Sequence, residues 1–212
     1  GNTLRTNPAG RVSQNDNNDY DMDYVDIDSV STTFNSSAAT LAMPAGSTVV
    51  WAGLYWGANL NAGDSGANAP NASIVRNVLL ATPTNSAYTT LTATQYDSLL
   101  DSGDLTYQGF VDVTAIVKAA GNGTYRVANV QAATGENRFA GWSLVVVYQN
   151  PSLTSKNLTV FDGYADISTR SGGNSTLNIN VSGFQTPTSG AIQTAIGVVA
   201  YEGDRSLTGD QF

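Results

Sequence analysis

The sequence contains no cysteine and no histidine, only two lysines, Lys118 and Lys156, and only two glutamates, Glu136 and Glu202. Without cysteine there is no disulfide and no thiolate nucleophile. Without histidine there is no imidazole base, and losing both residue types removes nearly all zinc, copper and haem chemistry. Carboxylates, hydroxyls and two amines are what remains for catalysis. No apolar run approaches the roughly 20 residues that span a bilayer as a helix, and the amino terminus lacks the charged and then apolar pattern of a signal peptide. Positive charge is also scarce. Nine Lys plus Arg stand against seventeen Asp plus Glu, a formal net charge of −8, which repels polyanions and argues against nucleic acid and against anionic membranes as partners.

What is present points to strands and turns. A chain of 212 residues suits one domain and buries roughly 70% of the surface its unfolded form exposes. Thr, Ser, Asn and Gly together make roughly 40% of it, well above ordinary globular usage, and all but two of the acids are Asp, a residue of turns rather than helices. This is the composition of secreted β proteins. The chain begins at Gly1 and its first methionine is Met22, so we expect a processed form or a piece of a longer polypeptide. It ends at Phe212, just after a Gly- and Asp-rich stretch at 203–210, and further chain is expected beyond that point.

Residues 1–18 are polar and read as an N-terminal arm, flexible or available for strand exchange. Residues 19–212 read as one β-sandwich, completed by chain or by a partner beyond Phe212. From Asp19 to Tyr24 acids alternate with Tyr and Met, and the phase flips at Val25, which predicts a bulge near Tyr24. The runs 48–58 (TVVWAGLYWGA), 142–148 (WSLVVVY), 158–164 (LTVFDGY) and 192–201 (IQTAIGVVAY) are apolar on both faces and predict central strands covered on both sides. Weaker strand signals lie at 31–34, 38–43, 74–80, 88–94, 107–111, 124–131 and 176–181. Helix is confined to a turn over 115–119, capped by Asp112 or Thr114 and stopped by Gly121, and to a second turn over 95–100. Residues 59–73 carry almost no bulky side chain and predict a surface loop. Short strands at intervals of about ten residues give an all-β fold, a jelly-roll-like antiparallel sandwich with one or two short helical turns.

The densest polar feature is 15–28 (NDNNDYDMDYVDID), which holds Asp16, Asp19, Asp21, Asp23, Asp26 and Asp28. Hard cations take several oxygen ligands, which closely spaced carboxylates supply, so these six are candidate Ca²⁺ ligands. The alternative is a solvated edge whose charges block strand pairing. A second acidic loop offers Glu202, Asp204 and Asp210, either as a cation or polar-ligand site or as ordinary turn residues, with Arg205 or Arg138 as possible ion-pair partners. Trp51, Tyr55, Trp56, Phe139 and Trp142 are read mainly as core, with Trp56 at a strand end as the best candidate to stack on a sugar. Six glycosylation sequons are expected by chance in such a composition. No catalytic motif is found. A glycosidase needs two carboxylates facing a cleft, and nothing places such a pair, so the expectation is no enzyme.

Six strings stand out as a set: WAGLYWGA at 51–58, FVDVT at 110–114, GTYRVANVQ at 123–131, RFAGWSLVVVY at 138–148, NLTVFDG at 157–163 and VVAYEGDRSLTGD at 198–210. As an ordered set they resemble the amino-terminal globular region of large secreted bacterial cell-surface proteins, adhesin-like chains that often carry Ig-like repeats. The resemblance implies an extracellular or cell-surface location and an adhesive or structural role. The expected partners are other copies of the chain or a surface ligand, a glycan among them. A filament subunit joined by β-strand exchange and a carbohydrate-binding module are the alternatives.

Overall fold

The computed structural model describes residues 20–101, 103–165, 176–186 and 188–201, together with the backbone of residues 3–5. Eleven strands are assigned among them. They are β1 (Thr3–Arg5), β2 (Asp21–Tyr24), β3 (Ser36–Leu41), β4 (Thr48–Asn59), β5 (Asn77–Thr82), β6 (Asn85–Thr92), β7 (Gln95–Asp101), β8 (Asp104–Asp112), β9 (Gly123–Ala128), β10 (Gly135–Glu136) and β11 (Ala140–Gln149), with one helix α1 (Thr114–Ala120) and a 3-10 turn at Ala72–Ile74. All pairings are antiparallel. Two four-stranded sheets, ordered β11-β4-β8-β7 and β3-β9-β5-β6, stack face to face, and a small sheet β1-β2-β10 lies beside them. The fold is the expected all-β sandwich.

The core follows from the period of two in a strand. On β4, Ala52, Leu54, Trp56 and Ala58 are fully buried and meet Val78, Leu80, Tyr125 and Val127 from the opposite sheet. Register slips between Val147 and Tyr148 of β11, leaving Val50 of β4 without a partner. This is a bulge, and it explains how Val49 and Ala52, three apart, both reach the core while Val50 is exposed. Trp56 donates its indole N–H to the Val75 carbonyl at 3.0 Å. A Cβ at Gly109 would stand 2.6 Å from its ring, so only glycine lets β8 pass beneath the indole.

Buried polar side chains stand in for missing ladder. Asn35, fully buried, donates to the Val130 carbonyl at 2.7 Å and accepts from the Val130 N–H at 3.1 Å, extending β3–β9 pairing past the strand ends. Tyr107 donates to the Gln131 carbonyl at 2.9 Å. Arg138, also buried, pairs with Asp104 at 2.8 Å. The loop after β4 is pinned where it passes β10, through Gly63 N–H to Thr134 C=O, Thr134 N–H to Ala67 C=O and Glu136 N–H to Asp64 C=O, at 2.9–3.0 Å.

Several expectations need correction. Residues 95–100 form strand β7 instead of a helical turn, because pairing with β8 seats Tyr96 against Tyr107 on the inner side, rings 5.9 Å apart. Residues 31–34 turn rather than extend, held by Thr33 N–H to Val30 C=O. The bulge expected at Tyr24 is absent. There β2 ends, and the next residues are tied to Ser36 through Val25 C=O and Ile27 N–H. The helix arrives where expected and Gly121 closes it at φ +67°, but its N-cap is Val113, which has no capping side chain; Asp112 Oδ1 accepts from Thr114 N–H at 2.8 Å just before it. The largest departure concerns 158–164, 176–181 and 192–201. None belongs to a sheet, and most of their side chains are exposed. Apolarity makes a strand only where the backbone finds a partner, and these segments pair with none of the sheet edges.

If Asn35 is the hinge between β3 and β9, Asn35→Ala strands a buried N–H and a buried carbonyl of Val130. We expect a loss of about 2 kcal/mol or more in urea unfolding with the m-value unchanged. A loss within a few tenths of a kcal/mol would show that the pair is replaceable.

Candidate functional site

The inner face of β4 is spent on the core, and its outer face is covered in part by other chain, with Trp51 half-buried and Tyr55 buried. Trp51 and Tyr55 point outward from β4 and Phe110 from the neighbouring position on β8, since Tyr55 and Phe110 are register partners. The Phe110 ring lies 4.8 Å from Tyr55 and 6.3 Å from Trp51, the latter pair nearly parallel at 20°. Between Trp51 and Tyr55 the chain has Gly53, whose absent Cβ would fall 2.6 Å from the Trp51 ring and 2.8 Å from Phe110. The glycine is therefore the space into which the indole folds.

The segment after β11 crosses this face. Gln108 Nε2 donates to the Gly163 carbonyl at 3.3 Å, and the Tyr164 hydroxyl bonds Thr106. The crossing places Val160 and Asp162 opposite the rings. With Val147 of β11 these residues enclose a shallow cup of about 370 Å³, lined by Trp51, Tyr55, Phe110, Val147, Val160 and Asp162. Farther along the same face, Tyr201 covers Gly57 and Gly141 and stacks on Phe139, rings 5.8 Å apart.

Among the described residues the cup has one carboxylate and no cationic side chain in its lining. Burial, and then the nearby Asp97, push the Asp162 carboxyl above its usual range against a hydrogen bond from Gly163. Burial and the Asp162 charge push the Tyr55 hydroxyl up to about 12. Both shifts follow from partial burial, which disfavours charge on either group and keeps the Tyr55 phenol neutral beside the Asp162 carboxylate.

Of the residues singled out from sequence, Trp56 is placed differently from the expectation. It is fully buried because it shares the inward phase of Leu54 and Ala58, so no sugar can stack on it. Trp142 faces inward at the sheet edge, half-buried, and donates to Ser37 Oγ at 2.8 Å. Asp21 and Asp23 share one side of β2. Asp26 accepts from Ser36 Oγ at 2.6 Å. Asp28 accepts from Val30 N–H at 2.9 Å, Thr33 Oγ1 at 3.0 Å and the Tyr88 hydroxyl. Among the described residues no three acids gather in one place. Asp16, Asp19, Glu202, Asp204, Asp210 and Arg205 lie outside the described residues, and Arg138 is taken by Asp104. Phe110 and Asp162 were missed. The signal for them is the phase of β4: once Trp56 is assigned inward, Trp51 and Tyr55 must face out, and whatever pairs beside them joins the same surface.

The family described as Protein of unknown function (DUF3344) matches residues 9–169. The chain belongs to that family. Every residue of the cup falls inside the DUF3344 span, whereas Tyr201 falls outside it. No curated protein and no solved structure matches this DUF3344 chain.

Asp28 carries a pH signature. Burial disfavours its charge, but hydrogen bonds from Tyr88, Val30, Thr33 and Ser36 outweigh burial and hold its pKa below the usual carboxylate value. A lowered folded-state pKa stabilises the fold above the unfolded value near 4, and the gain is lost as pH falls through the folded value. Asp28→Asn should therefore be less stable than the parent at pH 6, with the gap closing toward pH 2 in urea titrations. A gap independent of pH would contradict the assignment.

Proposed function

We propose that this chain is a non-enzymatic module of an extracellular or cell surface, adhesive or structural in role, whose working contact is β-strand addition between copies of itself. The observation that carries the reading is where apolar surface is left over. Of eighteen large hydrophobic side chains exposed among the described residues, twelve lie between Leu153 and Val199. Ile179 is 72% and Ile196 89% exposed.

Residues 177–181 (LNINV) alternate Leu177, Ile179 and Val181 with two asparagines, the pattern of a strand with one face buried, yet they join no ladder. Among the described residues β11 pairs only with β4, so its other side is an edge, and its inward Leu144 and Val146 are only half-covered. A strand donated by a second copy would satisfy both, supplying backbone hydrogen bonds to the edge and burying side chains worth about 1.5–3 kcal/mol each when fully covered. Such a contact is heterologous and repeats into a filament unless it closes. The absence of His and Cys favours contact over chemistry as the role.

The full chain should therefore associate with rising concentration in sedimentation velocity, with linear particles in negative stain, and Ile179→Lys with Val181→Lys should return it to monomer without lowering its melting point. A parent that stays monomeric at all concentrations would sink strand addition.

Calcium is part of the proposal on the strength of the acidic run at 15–28. A ligand that binds only the native state raises stability, by about 2.7 kcal/mol at a hundredfold excess over Kd. Melting in Ca²⁺ against chelator should thus show an upward shift that Asp21→Asn with Asp23→Asn reduces, and coincident melts would remove calcium from the account.

A further inference from the structure

We propose that the cup formed by Trp51, Tyr55, Phe110 and Asp162 binds an organic ammonium group. The inference stands on the chemistry of its lining and does not depend on strand addition. Three aromatic rings, two valines and one carboxylate line about 370 Å³, and among the described residues no Lys or Arg lines it. Each class of ligand can be tried against that set. An anion meets Asp162 with Asp97 behind it and is repelled. A bare divalent cation needs about six oxygen ligands and finds one carboxylate. A sugar presents donors and acceptors around its rim, and the lining offers it a carboxylate and little else that is polar. A neutral apolar ligand would bury Asp162 further without pairing it, at a cost.

An alkylammonium group meets every element. Its charge is attracted to the negative faces of Trp, Tyr and Phe, its carbon substituents pack on Val147 and Val160, and Asp162 supplies the counter-charge. The carboxyl is held above its usual range by its apolar surroundings, a penalty that a bound cation relieves. The net charge of −8 adds a long-range attraction for cations at low ionic strength. The same group comes either on a small molecule or on a lysine side chain of a protein partner.

The test uses the whole chain and three probes. They are choline, its uncharged carbon isostere 3,3-dimethyl-1-butanol, and a peptide bearing one trimethylated lysine. Three tryptophans give three indole N–H resonances, and Trp51→Phe assigns the one at the cup. We expect choline to move that resonance saturably and to bind about tenfold or more tightly than the isostere, the worth of a desolvated cation–π contact with a counter-ion.

Asp162 is exposed, so Asp162→Asn should fold normally and cut the preference for choline over the isostere to about twofold, leaving the isostere's own affinity unchanged. Phe110→Leu is the second variant, expected to weaken both probes. Tighter binding of the peptide than of choline would make the natural source a protein side chain, and the reverse a small molecule. Equal affinity for choline and its isostere, an undiminished preference in folded Asp162→Asn, or a Trp51 resonance that choline does not move would each overturn the proposal.

Discussion

Everything in this molecule is arranged around β4, a strand that must be covered on both faces. Twelve residues long, it is paired by β11 on one side and β8 on the other, so its backbone is satisfied and only its faces are free to differ. The inner phase is filled by Ala52, Leu54, Trp56 and Ala58 and closes the core. The outer phase alternates rings with glycines, and the glycines admit what lies across them: the Trp51 indole over Gly53, the Tyr201 ring over Gly57. The bulge at Val50 sets the phase from which both faces are read.

The sandwich was legible in the sequence because its strong strands announce themselves by composition and period. Residues 48–58 and 142–148 emerged as β4 and β11, and among the described residues the one α-helix emerged between Asp112 and Gly121, its stop at Gly121 as read and its N-cap at Val113 instead. Two kinds of information were not local. Periodicity tells which residues share a face, but not which face meets the opposite sheet, and that is why Trp56 was offered as the exposed ring; Tyr55, read as core, is indeed buried, though on the outer face, under the segment that crosses it. Apolarity tells that a segment prefers burial, but not whether an edge is available to pair with it. The segments 158–164 and 192–201 have the composition of central strands and 176–181 that of a weaker one, and all three lie outside every sheet. The turn at 31–34 and strand β7 were settled by contacts with partners distant in sequence.

The acidic run shows the same dependence. Two of its members, Asp26 and Asp28, are engaged by Ser36, Thr33, Val30 and Tyr88, so carboxylates that look like metal ligands in a string serve to fasten the turn before β3. Asp162, an isolated acid in an apolar stretch, gave no signal as a string and acquires a role only when the crossing segment brings it to the rings. Charge density in sequence and charge placement in space are different quantities, and the second decides chemistry.

Among the features left unpaired once the core is complete are an apolar segment with strand period, 177–181, and the free edge of β11, and we propose that these two join between molecules. Amide hydrogen exchange followed as a function of protein concentration tests that junction most directly. β4 should exchange slowest at every dilution, while the amides of 177–181 and of the outer side of β11 exchange fast when dilute and become protected together as the chain is concentrated. Protection of 177–181 that does not change with concentration, or that grows without β11, would contradict it.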